Sequence, residues 1–469
     1  MNNNQLYING QWVNSISKDK IEVENPATEK IFEHVPAANE EDVNSAVKAA
    51  KSAFDSWSKL SLDERLSYLN KAFEIFEGYQ DDLVEIEIKE LGSPRSWAKN
   101  AHVKGPIKRF ENYLKIAKDF SFKDDLPKAT VVKEPIGVIG CLTPWNYPLN
   151  QVIQKVIPAL ICGNTVVLKP SQITPLSAYF LAEAFHKAEL PSGVFNLVTG
   201  RGAEVGNVLA SHKDVDMISF TGSTSGGIEV GKLALETVKK LALELGGKSP
   251  NLVLKGSNYE EAVKTSLNST FNNTGQTCSA LTRLIVPKED LQEIENIIVE
   301  KSKGFIVGDP DEEETKVGPL SNKKQFDKVK YFVEKGIEEG AKLLVGEVPQ
   351  KKDKGYFANP VVFSNVSNKM EIAQEEIFGP VLCVIPYEGI EEGIEIANDT
   401  IYGLSGAVFG PQEEAENAAK RIKTGEIKIN NGKWDPLAPF GGYKQSGIGR
   451  EGGFYGLEEF VEIKTLFNK

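Results

Sequence analysis

The sequence predicts an α/β protein: open, mostly parallel sheets with helices on both faces. Three observations carry this. From about residue 134, five short β-branched runs (GVIGCLTP, NTVVLKP, GVFNLVTG, MISFTG and KLALELGG) alternate with stretches that place Ala, Glu, Leu and Lys at helical spacing. A second series of the same kind begins near Lys248. And 469 residues are more than one hydrophobic core fills, so two or three domains are expected.

The elements follow in chain order. LYINGQWV reads as a hairpin turning at Asn9-Gly10, since both central residues of such a turn need positive φ. In NEEDVNSAVKAAKSAFDSW, Val43, Ala46, Val47, Ala50, Phe54 and Trp57 recur with helical period. A further helix is expected through SLDERLSYLNKAFEIFEGYQDDLVEIEIKE, opened by the capping-box pattern Ser61-Leu62-Asp63-Glu64. The five runs from residue 134 are the strands of the first sheet, and ligands of such sheets bind at strand carboxyl ends. In the second series, NLVL, RLIVP, KLLVG, LSGAVFG and EIKIN supply strands, while LQEIENIIVEKSK and KKQFDKVKYFVEKGIEEG supply helices. TVVKEP near residue 130 and the tail EEFVEIKTLF are strand-like without an obvious sequence neighbour. Such edges pair either with another subunit or within the chain, and the sequence leaves both open.

Composition excludes several classes. The chain is 41% hydrophobic and 26% charged, an ordinary globular balance. A formal charge of -12, with scattered Lys and Arg, argues against nucleic acid or an anionic membrane as partner. No apolar run reaches the roughly 18 residues of a membrane span, and MNNNQLYINGQWVNS lacks a signal-peptide layout. Four cysteines and four histidines show no disulfide framework and no metal-ligand spacing, so no metal is expected and a reducing cytoplasm fits.

Six places invite chemistry. Cys141, Cys162 and Cys383 sit in apolar runs, as buried structural cysteines do, whereas Cys278 sits in polar FNNTGQTCSALTR. On context alone Cys278 reads equally as a nucleophile or as a small side chain that fits. Glu244 ends an apolar run before two glycines; it suits a partly desolvated general base, or an ion pair with Lys248. Asn146, after Pro144-Trp145, suits an oxyanion donor or a helix N-cap. FTGSTSGG and TGRGAEVG are strand-to-helix glycine loops of the kind that admit a pyrophosphate, with Gly222, Gly226 and Gly227 letting backbone approach it. Lys169 ends another strand, where it meets either a ribose or phosphate, or solvent.

PWNYP, LKPS, FTGS, LELGGKSP, NTGQTC, EEIFGP and PFGGYKQSGIGRE together resemble the NAD(P)-dependent aldehyde dehydrogenase superfamily. They stand in family order, and the resemblance spans essentially the whole chain. It implies a Rossmann-type cofactor domain (1–118 and 134–246), an α/β catalytic domain (247–445) and a small β oligomerisation element (119–133 and 446–469). It implies Cys278 as nucleophile, Glu244 as general base and Asn146 as oxyanion donor beside the Cys278 backbone N–H. Cofactor contacts are implied at Leu142, Thr143, Pro144, Trp145, Lys169, Ser171, Phe220, Gly222, Ser223 and Leu245. Gly202 and Gly206 fall on the adenine-side loop; Glu376 and Phe378 fall at the nicotinamide ribose and ring. The reaction implied is oxidation of an aldehyde to an acid through a thiohemiacetal and a thioester, hydrolysed by Glu244-activated water. A homodimer or homotetramer is implied as well.

One position departs from many NAD-preferring relatives: Gln172 stands where they carry a Glu. NAD is the expected cofactor, with NADP left open. By the match, Tyr147, Asn150, Gln151, Gln154, Thr277, Ser279, Trp434 and Phe440 line the substrate tunnel. No arginine stands among these positions, and Lys433 more often meets solvent than substrate, so broad oxidation of small or medium aldehydes is expected. The rival readings are a CoA-acylating aldehyde dehydrogenase, which would not need Glu244 for hydrolysis, and a non-catalytic binding protein on the same fold.

Overall fold

A computed structural model describes residues 2–351 and 353–467. The chain opens with the expected hairpin. Leu6–Ile8 pairs antiparallel with Gln11–Val13, and Asn9 (φ 53°) and Gly10 (φ 76°) make the turn. Helix Glu40–Ser58 starts at a capping box of Asn39 and Asp42 and buries Val43, Ala46, Val47, Ala50 and Trp57; Phe54, counted in the same stripe, is half-buried. The helix expected from Ser61 onward is two helices, Leu62–Glu77 and Gln80–Leu91. Gly78 ends the first, its N–H turning back to the Ile75 and Phe76 carbonyls. The separate two-stranded sheet Lys20–Asn25 and Lys30–Pro36 carries no pattern that had been read as strand.

All five expected runs are strands of an eight-stranded sheet. Its order is Gly447–Ile448, Lys240–Glu244, Met217–Thr221, Val138–Leu142, Thr165–Lys169, Phe195–Leu197, then the hairpin. The five central strands are parallel. Chain order reverses at Val138–Leu142: the next two strands lie to one side, and Met217–Thr221 lies on the other. Connections there leave in opposite directions, which opens a crevice at the carboxyl ends. Pro144, Asn146, Gly222 and Leu245 follow those ends within a few residues.

The second sheet has seven strands in the order Lys342–Val345, Val361–Ser364, Val381–Tyr387, Arg283–Pro287, Pro250–Val253, Ala407–Phe409, Lys428–Ile429. Only the first pairing is antiparallel. PVLCVI, read merely as an apolar setting for Cys383, lies in a fully integrated strand of this sheet.

The two unplaced strands find each other. Val461–Phe467 pairs antiparallel along its whole length with Ala129–Pro135, whose other edge pairs with Lys123–Leu126. Pairing within the chain is therefore satisfied. The far edge of Val461–Phe467 has no strand partner among the described residues, and Ile463, Leu466 and Phe467 are exposed. The segment 446–469 is divided: Gly447–Ile448 joins the first sheet beside Leu243 and Glu244, and the small sheet takes Val461–Phe467. Among the described residues no helix is long and apolar enough to cross a membrane.

Candidate active site

Cys278 hangs from a backbone turn that few sequences adopt. After helix Tyr259–Phe271, Asn273 (φ 53°), Thr274 (φ 55°) and Gly275 (φ 72°) are all left-handed. Two of these are not glycine, so neighbours must hold the strain. The Asn273 amide donates to the Asn146 carbonyl at 2.9 Å and the Gln276 carbonyl at 3.2 Å. Thr274 donates to the Gly318 carbonyl, and His102 Nε2 meets Asn273 Oδ1 at 3.1 Å. Gly275 is required sterically: a Cβ there would lie 2.2 Å from Gly379 backbone. The Cys278 thiol is half-buried, and burial pushes its pKa up, with the Glu376 and Glu244 carboxylates adding to the effect. The backbone N–H groups of Cys278 and Ser279 point the other way, favouring thiolate.

Glu244 ends the strand next to Met217–Thr221 and is 4% exposed. Neither carboxylate oxygen has a hydrogen-bond partner, and no ion pair joins it to Lys248, itself buried with an unpartnered Nζ. Burial raises the Glu244 carboxyl well above its usual range, and Glu451 raises it further, while Lys155 and Arg450 oppose. Gly441 leaves room for it, since a Cβ there would lie 2.6 Å from Glu244 Oε1. Glu451 is bound to Lys155 at 2.5 Å, both buried.

Asn146 does not cap the following helix. That helix is Pro148–Ile161, and its N-cap residue, Tyr147, makes no side-chain cap. The Asn146 amide instead donates to the Gln276 carbonyl at 2.9 Å, two residues before the cysteine. An amide nitrogen has two N–H groups, so one stays for a ligand.

Two cavities meet at Cys278. The first, about 440 Å³, is lined by Pro144, Trp145, Gly222, Ser223, Leu245, Glu376 and Phe378, together with Lys328 and Gln325. Trp145 and Phe378 stand edge to face at 5.2 Å, and Phe378 itself is left-handed (φ 61°). Glu376 is fixed by the Gly247 N–H at 2.9 Å. Ser223 caps helix Thr224–Leu235 through the Gly226 N–H, so a helix N-terminus faces the cavity. Lys169, 7% exposed, has no carboxylate within ion-pair distance among the described residues, and burial lowers its pKa to about 8. A buried cation without an anion at a strand's carboxyl end suits a polyhydroxy or phosphate ligand.

The remaining cofactor positions fall outside that lining. Leu142, Thr143 and Ser171 are buried, Phe220 is half-buried and Gln172 is exposed. Gly202 is exposed, and a Cβ at Gly202 or Gly206 would meet nothing within 4 Å. The other loop's glycines are needed for packing rather than ligand approach. A Cβ at Gly222 would lie 2.5 Å from the Phe220 ring, and one at Gly227 would lie 2.4 Å from Leu245.

The second cavity, about 250 Å³, gathers every expected tunnel residue: Tyr147, Asn150, Gln151, Gln154, Thr277, Ser279, Trp434 and Phe440. Tyr147 donates or accepts at Thr277 Oγ1 (3.0 Å) and stacks on His102. Gln151 accepts from Thr221. The expectation of a tunnel without arginine is wrong: Arg109, from helix Gly105–Ile116, lines it, as do Lys428 and Glu426. Helix Gly105–Ile116 is remote in sequence from the matched segments, and nothing in its pattern set Arg109 apart. Lys433 is exposed and outside the lining. Lys155 did leave a signal, a lysine inside an otherwise apolar helix that is buried along nearly its whole length.

The aldehyde dehydrogenase family model matches residues 12–466. The chain is 47% identical to the 3-succinoylsemialdehyde-pyridine dehydrogenase of a Pseudomonas species over 466 residues, 98% of each. Its structure resembles a cysteine-to-alanine mutant of aldehyde dehydrogenase C from Pseudomonas syringae, crystallised with NAD+ and octanal. There the identity is 42%, the TM-score 0.97, and the match covers 99% and 97% of the two chains. The NAD+ complex of the Mycobacterium tuberculosis aldehyde dehydrogenase is similar at 38% identity and TM-score 0.96, covering 99% and 98%. Length, fold and motifs thus agree from the hairpin to the last strand, and the chain belongs to the aldehyde dehydrogenase family.

Proposed function

We propose that this chain oxidises a small-molecule aldehyde to the carboxylic acid, with Cys278 as nucleophile and NAD as hydride acceptor. The observation that carries the reading is that Cys278 lines both cavities, so one sulfur faces a cofactor-sized cleft and a separate narrow tunnel. The residues present fit a dinucleotide: Lys169 for ribose or phosphate, the helix N-terminus at Ser223 for an anion, Glu376 for ribose hydroxyls, and Trp145 with Phe378 beside the ring.

In this reading the thiolate attacks the aldehyde carbonyl, and the second N–H of Asn146 and the Cys278 backbone N–H take the oxyanion. NAD, when bound, supplies the hydride acceptor. Collapse of the tetrahedral centre leaves a thioester on Cys278. Glu244, ionised, takes a proton from water, which attacks the thioester and frees the acid. The same reading makes the chain a homo-oligomer, joined through the small sheet.

The test follows absorbance of reduced cofactor with an aldehyde panel. Cys278→Ala gives no signal, and Glu244→Gln gives one burst per site with slow turnover after it. Acid formation that needs CoA, or equal rates for wild type and Cys278→Ala, sinks the reading. Initial rates with NADP at equal concentration should be lower than with NAD; the reverse overturns that part.

A further inference from the structure

We propose that Arg109 anchors the far end of the substrate, and that the preferred aldehyde carries a carboxylate there. The inference rests on the oxidation just proposed and names its substrate class.

Arg109 is a guanidinium without a counter-ion. Its Nε donates to Asn150 Oδ1 at 3.0 Å, and its carbon sits 5.3 Å from the Trp434 ring centroid. The two terminal nitrogens make no hydrogen bond, and no carboxylate lies within ion-pair distance among the described residues. Burial opposes its charge, with the Tyr113 and Glu451 groups nearby working the other way. A desolvated cation held by one neutral amide and one aromatic face is stabilised strongly by an anion.

The tunnel's other charges offset one another. Glu451 is bound to Lys155. Glu426 accepts from the Ser405 hydroxyl and shares the cavity with Lys428. Arg109 is then the surplus charge, and it is positive. With Nε taken by Asn150, its two terminal nitrogens present the parallel N–H pair that fits a carboxylate. Asn150 and Trp434 fix the fork's direction, which point-like Lys428 lacks. Cys278 and Arg109 line the same 250 Å³, so the aldehyde and the anion are separated by a short chain. The chemical class is a short ω-oxo carboxylate.

The test compares kcat/KM for ω-oxo carboxylates and for n-alkanals of equal carbon number. It uses wild type, Arg109→Gln and Arg109→Lys. A charged hydrogen-bond pair predicts a wild-type preference for the oxo acid of about ten- to a hundredfold. In Arg109→Gln the ratio falls to near one, and the change is carried by KM. Arg109→Lys, which keeps the charge without the fork, lies between. Independently, the matching dicarboxylate product competes with alkanal in wild type and loses that inhibition in Arg109→Gln. A wild-type ratio at or below one overturns the proposal while leaving the oxidation intact, as does the same ratio in wild type and Arg109→Gln. Wild type that reduces NAD with neither substrate overturns the oxidation itself and this inference with it.

Discussion

At the scale of single residues, the site is arranged around charge that burial makes costly. Glu244 must be ionised to activate water, yet burial and Glu451 both favour its protonated form. Activity therefore falls, as pH drops, at a higher pH than an exposed glutamate would dictate. Glu451→Gln removes the like charge and leaves Lys155 uncompensated, and both changes favour the Glu244 carboxylate. The acid limb of the pH–kcat profile should move down by on the order of one unit; an unmoved limb would show that Glu451 does not tune the base. Gly247 gives a steric counterpart. A Cβ there would lie 2.3 Å from the Cys278 carbonyl oxygen, and the Gly247 N–H holds Glu376. Gly247→Ala should cut kcat/KM about a hundredfold or more, because small displacements of a reacting group are expensive. Unchanged steady-state kinetics would refute this.

At the scale of elements, legibility followed the hydrophobic pattern. The five strands of the first sheet announced themselves because each is a short β-branched run closed by a turn, and the first helix did so through its stripe and cap. Gly78 was harder: one glycine inside a helical pattern is tolerated as often as it breaks it, so two helices read as one. Lys20–Asn25 escaped notice because its exposed face is charged and its run is interrupted. Cys278, Glu244 and Asn146 were legible as chemistry, but their alternative roles fell away only when Asn146 proved to hold Gln276 and Glu244 proved unpaired. The helix Gln80–Leu91 carries a feature no pattern displays, two fully buried acids, Glu87 and Glu90. Burial raises Glu90 to about 8, and burial with Glu90's charge raises Glu87. The folded state thus holds protons that the unfolded chain releases near pH 4.5. Their contribution is complete below that value and is lost as pH rises towards about 8. Glu90→Gln keeps the amide's shape without the proton, so its Tm should decline less than wild type's between pH 5 and pH 8. Parallel Tm–pH curves would exclude these acids as a source of the slope.

At the scale of the whole molecule, the small sheet is the element whose purpose the single chain leaves open. It pairs two segments more than three hundred residues apart, Ala129–Pro135 and Val461–Phe467, yet buries little of what it assembles. Opposed residues of antiparallel strands share a face, so Phe467, Ala129 and Leu126 stand together, with Thr465 and Val131 beside them. Phe467 is 85% exposed and Leu126 53%, and the outer edge of the last strand is unpaired. A long, apolar edge strand in a stable protein is normally covered, and a second copy supplies a matching edge through a two-fold axis. Charge opposes this, because two copies at -12 repel. Association should then strengthen as salt screens the repulsion. In light scattering after size exclusion, wild type should elute as a multiple of the chain mass and hold that mass better at high salt. Ile463→Asp combined with Phe467→Asp should lower it to one chain while the melting curve stays cooperative. A wild-type monomer at every salt concentration, or a double variant with unchanged mass, would place the contact elsewhere or nowhere.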